Sequence, residues 1–117
     1  MLRKLRRRHT EPVVLPDHVF VAVYDGPAGE ELLAYANRGR TYFVGSTTPD
    51  ESSAYWRERG ATGFRIVEKE TVDLLEIVTN AADGLVIDPL SENGVGLDRR
   101  DVREWLANPK IALEDSS

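Results

Sequence analysis

From Gly84 to Leu106 the chain reads GLVIDPLSENGVGLDRRDVREWL, an apolar run, a Pro/Gly loop and a capped helix in immediate succession. Leu85, Val86 and Ile87 form the short, β-branched-rich run of a strand covered on both faces. Asp88-Pro89 ends it, because proline has no N–H to give a ladder. Ser91, Asn93, Gly94 and Gly96 supply turn chemistry. Asp98 can then accept hydrogen bonds from the first turn of a helix, with Asp101 three residues on and Leu97 placed to staple onto Val102. Val102, Trp105 and Leu106 share one face of that helix, Arg99, Arg100 and Arg103 lie opposite, and Asn108-Pro109 closes it.

The earlier part of the chain is strand-rich. Val19 to Tyr24 reads as a first strand, and Asp25-Gly26-Pro27-Ala28-Gly29 is a turn cluster. Glu31 to Ala36 reads either as a strand paired back on the first or as a short helix with Gly39 just past its end, and the strand is the favoured reading. Thr41 to Gly45 follows as a third strand. Thr48-Pro49-Asp50-Glu51 opens a helix through about Arg59, with a threonine cap, proline at the first helical position and glutamate three residues after the cap. Phe64 to Val67 is a fourth strand, and Thr71 to Ala82 a helix with Leu74, Leu75, Val78 and Ala82 on its apolar face. The expected fold is α/β in the α+β sense: one domain, a mixed sheet of about five strands in the order βββαβαβα, helices packed on the sheet, and crossover connections in the second half. The domain is expected over residues 17–108, between a basic tail of residues 1–16, expected to be disordered, and a tail of residues 109–117.

Tyr42-Phe43-Val44-Gly45-Ser46-Thr47-Thr48-Pro49-Asp50-Glu51 with Trp56 after it, the stretch from Gly63 to Ile77, and the closing strand, loop and helix together resemble the SseB N-terminal domain family. In that family a strand runs through a Phe-Thr-Ser-Pro-like step into a helix, and a strand ending in an Asn-Pro-like step leads through a Gly-bearing loop to the last helix. The likeness spans roughly residues 19 to 106. It departs at Asp88, which stands for the usual asparagine, and at Val44-Gly45, where an aromatic often precedes the Thr-Ser step. The resemblance also favours the strand at Glu31 to Ala36. It implies a fold but no settled activity.

Composition narrows the chemistry. With 41% hydrophobic and 30% charged residues the chain belongs among globular proteins, and without cysteine it has no disulfide, thiol catalysis or thiolate metal site. Zero cysteine and no long apolar run lead to the expectation of a cytoplasmic protein. His9 and His18 have no carboxylate at ligand spacing, and no nucleophile elbow, phosphate loop or His-Glu-x-x-His stretch occurs. No metal, cofactor or catalytic residue is expected.

Charge is divided unevenly. Arg3, Lys4, Arg6, Arg7 and Arg8 give the first eight residues +5, and the remainder carries −10, for a net −5. Such a run is ordinarily solvated; it can also bind nucleic acid or an anionic membrane surface, or fold back on its own acidic body. The primary expectation is a non-catalytic binding or adaptor domain whose partner is another protein. Its candidate binding residues are Trp56 and Tyr42, on a sheet face expected to stay partly open beside Tyr24 and Tyr35, and Asp88, Ser91, Asn93, Gly94, Arg99, Arg100 and Arg103 around the last loop and helix. The arginines beside a helix N-terminus suit an anion, with ion pairing along an exposed helix as the plainer alternative. A third reading, a small-metabolite enzyme or sensor, would use Asp88 and Glu92 at the end of the final strand.

Overall fold

The computed structural model describes residues 15–92 and 94–107. The hairpin β1 (His18–Gly26) and β2 (Gly29–Leu32) opens the fold, and β3 (Ala34–Asn37) turns into β4 (Arg40–Gly45) through Arg38 and Gly39, both at positive φ. Helix α1 (Pro49–Glu58), β5 (Arg65–Glu70), α2 (Thr71–Ala81), β6 (Gly84–Ile87), β7 (Val95–Asp98) and α3 (Arg99–Ala107) follow. The described residues thus form an α+β fold of seven strands and three helices, with strand orders β2-β1-β5 and β3-β4-β6-β7.

Two expectations are corrected. Glu31 to Ala36 is not one strand but the junction of two. Its first half pairs with β1 and its second with β4, and the bend falls at Leu33, whose N–H donates to the Ala22 carbonyl (2.9 Å). The sheets meet again where Phe20 and Ser46 exchange backbone hydrogen bonds of 2.8 and 3.0 Å. The second correction concerns Val95 to Asp98, which is an edge strand antiparallel to β6, so Gly96 lies opposite Val86 in a ladder instead of in a turn.

The second half behaves as its alternation predicts. β4 and β6 are parallel, connected through α1, β5 and α2. All four residues of β6 are buried, in keeping with neighbours on both edges and helices over both faces. Gly84 is required there, because a Cβ would run into the Leu97 carbonyl oxygen and stand 2.9 Å from the Tyr42 ring.

Side-chain alternation sorts the core into two layers. Val19, Val21, Val23, Phe43, Leu85 and Ile87 face α2 and α3, where Leu74, Leu75, Val78, Val102 and Trp105 meet them. Ala22, Val44 and Val86 point the other way, onto Tyr55 and Trp56 of α1. Leu15 is buried in the first layer, although the expected tail boundary lay one residue beyond it. The Thr71 hydroxyl and N–H donate to the Pro16 and Asp17 carbonyls, so the chain enters the body beside the start of α2.

Both capping signatures hold. Thr48 Oγ1 accepts from Glu51 N (3.2 Å) and donates to Glu51 Oε1 (3.1 Å), with Pro49 at the start of α1. At α3, Asp98 Oδ1 accepts from Asp101 N (2.8 Å) and Asp101 Oδ2 from Asp98 N (3.3 Å). Leu97 and Val102, the pair expected to staple that helix, are buried in the same layer.

Candidate functional site

Several sequence-derived candidates are committed to the fold. Trp56, a candidate for contact with a partner, is buried: Ser52, Tyr55 and Trp56 recur at i, i+3 and i+4, and that stripe faces the sheet. Its ring meets Tyr55 edge-on, with centroids 5.1 Å apart, and the Arg59 guanidinium lies 3.6 Å from the centre of the Tyr55 ring. Burial raises the Tyr55 pKa, with Arg59 opposing part of the effect. Tyr42 is half-buried opposite Tyr35 on the same face.

Asp88 adopts φ +54°, which aspartate tolerates better than most residues. Its carboxylate accepts from Thr47 N at 2.7 Å and from Thr47 Oγ1 at 3.1 Å, and its N–H donates to the Gly45 carbonyl at 2.9 Å. These bonds lock the end of β6 to the turn before α1. Ser91 N donates to Asp88 O and Gly94 N to Ser91 O, which closes the loop on itself. Glu92 is exposed, and Asn93 lies outside the described residues.

Arg99 is likewise a clamp. Its Nε and one terminal nitrogen donate to the Ala82 carbonyl at 2.9 and 2.7 Å, capping the C-terminal end of α2, with Asp83 a further 3.7 Å partner. Arg100 and Arg103 are exposed, and Arg100 lies 3.9 Å from Glu104 one turn on. The three arginines therefore do not converge on one point. Arg3, Lys4, Arg6, Arg7 and Arg8 lie outside the described residues, as does His9.

A cleft the sequence reading did not anticipate lies between the β1–β2 hairpin and α2. It has a volume of about 350 Å³ and is lined by Val23 and Leu32 of the hairpin, Phe43 of β4 and Ile77 of α2, with Glu30, Glu31 and Lys69 at its polar side. Alternation explains the lining, because Val23, Leu32 and Phe43 project from the core-facing side of their strands but lie toward the hairpin. At the rim Glu30 receives Lys69 Nζ at 3.2 Å and an Arg65 guanidinium nitrogen at 2.8 Å, with Asp25 3.4 Å from that same nitrogen. Hydrogen bonds from Lys69 and then Arg65 hold the Glu30 carboxyl below its ordinary range, and hydrogen bonds to Glu30 and then Asp25 raise the Arg65 pKa. The Glu31 charge raises the Tyr24 phenol, which donates to it.

The wall formed by α2 is more open than its core stripe implies. Ile77, which lines the cleft, is 37% exposed and falls off the Leu74, Leu75 and Val78 stripe by helical geometry, while Val72, 44% exposed, lies on the other flank of the helix. The displacement of Ile77 is visible in the sequence and was the available signal. Among the described residues no group of three or more metal-ligating side chains gathers, and no helix is long and apolar enough to cross a membrane. No protein-family model matches the chain, and no curated protein matches it.

Proposed function

We propose that this chain is a cytoplasmic, non-catalytic binding module of the SseB N-terminal type that takes a segment of a partner protein in the cleft between the β1–β2 hairpin and α2. The observation that carries the reading is the cleft's make-up: an apolar floor of Val23, Leu32 and Phe43, an exposed Ile77 on the wall, and an ion-paired rim at Glu30 and Lys69. The half-buried Leu32 and the exposed Ile77 present apolar surface there, with Val23 and Phe43 buried beneath it, and a charged rim supplies orientation. The family likeness rests on the residues that carry it; the strand-to-helix steps it implies from β4 through α1, β5, α2 and β6 are present, with the added strand β7 standing before α3.

A photo-crosslinking residue at position 77 tests it. Capture of a defined protein from native lysate at position 77, reduced by Leu32→Asp and absent when the crosslinker is at Glu58, is the expected result. Equal capture from positions 77 and 58, or none from either, rejects the cleft as a docking site.

A further inference from the structure

The solvent face of α2 carries Glu76 and Asp73 along its middle, flanked on opposite edges by the exposed apolar Val72, at the start of the helix, and Ile77, which lines the cleft. Helix α2 contains no lysine or arginine, and no cation of the described residues pairs with Asp73 or Glu76. This surface is apolar and negative together, so its complement is a segment that is apolar and positive. The chain supplies one. Residues 2–8, Leu-Arg-Lys-Leu-Arg-Arg-Arg, hold two leucines and five cations with no acid.

Position favours the same segment. Leu15 is fixed in the core, and Pro16 and Asp17 are bonded to Thr71, so the first described residues lie beside the start of α2. Residues 9–14 can span up to about 20 Å when extended. The rise along α2 from Thr71 to Ile77 is about 9 Å. The connection is therefore long enough for residues 2–8 to lie across that face and reach the cleft.

We propose that the occupant of the α2 solvent face and the adjoining cleft is the chain's own residues 2–8, lying across that face with its cations over Asp73 and Glu76 and Leu2 and Leu5 at the flanking Val72 and Ile77. This rests on the reading of the cleft as a docking site and adds a built-in competitor: a partner must displace the tail. Salt weakens the docking, because the charges involved are exposed and screened.

Methyl NMR on the full chain and on a variant lacking residues 2–8 tests the proposal. The Val72 and Ile77 signals are expected to move on deletion and to return when a peptide of residues 1–10 is titrated into the deleted chain. The midpoint of that titration should rise about tenfold when salt goes from about 50 to about 300 mM, and rise at least as much in Asp73→Lys/Glu76→Lys. Identical Val72 and Ile77 signals in both chains, or a peptide titration indifferent to the charge reversal, overturns it. Crosslinking at position 77 in the deleted chain separates this failure from failure of the cleft itself: partner capture there with no tail-dependent shift leaves the docking site standing and removes the tail from it. Binding of the peptide to DNA, RNA or anionic vesicles with the α2 signals unmoved assigns the tail outward and likewise overturns the proposal.

Discussion

Asp88 and Thr47, 41 residues apart, are joined by a 2.7 Å hydrogen bond from the Thr47 N–H to the Asp88 carboxylate, reinforced by the Thr47 hydroxyl. The bond fixes two chain reversals at once: the exit of β6 at a left-handed residue and the approach of α1 to its cap. An aspartate that sequence alone offers as an acid, a ligand or a strand stop is thereby assigned a structural part.

Asp88→Ala is expected to destabilise the fold by about 2 kcal/mol, from the lost charged hydrogen bonds and the left-handed backbone that alanine tolerates poorly. Asp88→Asn should cost less than half as much, because asparagine keeps an acceptor and the conformation. Urea denaturation of the two variants checks this, and equal losses would show that the carboxylate charge, not the geometry, is what matters.

Arg99→Met should cost about 1–3 kcal/mol, since it leaves the buried Ala82 end of α2 without the guanidinium that caps its carbonyl. Arg99→Lys should recover only part, because an ammonium cannot place two N–H groups on one oxygen with the rigidity of the fork. Thermal melts of both variants measure it, and an Arg100→Met control should lie within about 0.5 kcal/mol of wild type, as its ion pair is exposed.

What was legible in the sequence was local. The caps at Thr48 and Asp98 are set by residues three positions apart, and β6 declares itself because burial on both faces leaves no polar position in it. The division of Glu31 to Ala36 and the strand β7 were not legible, since four-residue strands hold barely two periods of alternation and their partners are chosen elsewhere in the chain. The roles of Asp88 and Arg99 depend on Thr47 and Ala82, which no spacing rule connects to them. The cleft is harder still, being assembled from β1, β2, β4, β5 and α2. Only Ile77, apolar and off the helix stripe, advertised it.

Trp56 gives a test of core against surface. Trp56→Ala should cost about 3–5 kcal/mol through the cavity it leaves beside Val44 and Val86. Among the described residues its Nε1 has no hydrogen-bond partner, so Trp56→Phe forfeits packing alone and should cost about 1–2 kcal/mol. Chemical denaturation decides: a loss under about 1 kcal/mol for the alanine variant would place the indole at the surface.

The rim of the cleft should make stability depend on acid. Glu30 is held below its ordinary pKa of 4.5 by its hydrogen bonds to Lys69 and Arg65, so the folded state favours the ionised form more than the unfolded state does. The unfolded chain therefore binds the proton more readily, and stability rises with pH through this window. The contribution is fully present above 4.5 and is lost as pH falls through that value and then through the lower folded pKa. Glu30→Gln should lower stability at neutral pH while flattening its dependence on pH below the ordinary carboxylate range, so the variant and wild-type curves converge in acid. Because these groups are exposed, about 0.5 M salt should narrow the gap at neutral pH. Denaturant midpoints measured from about pH 7 down to about pH 3 supply the comparison, and parallel curves for the two proteins would mean that Glu30 does not carry the linkage.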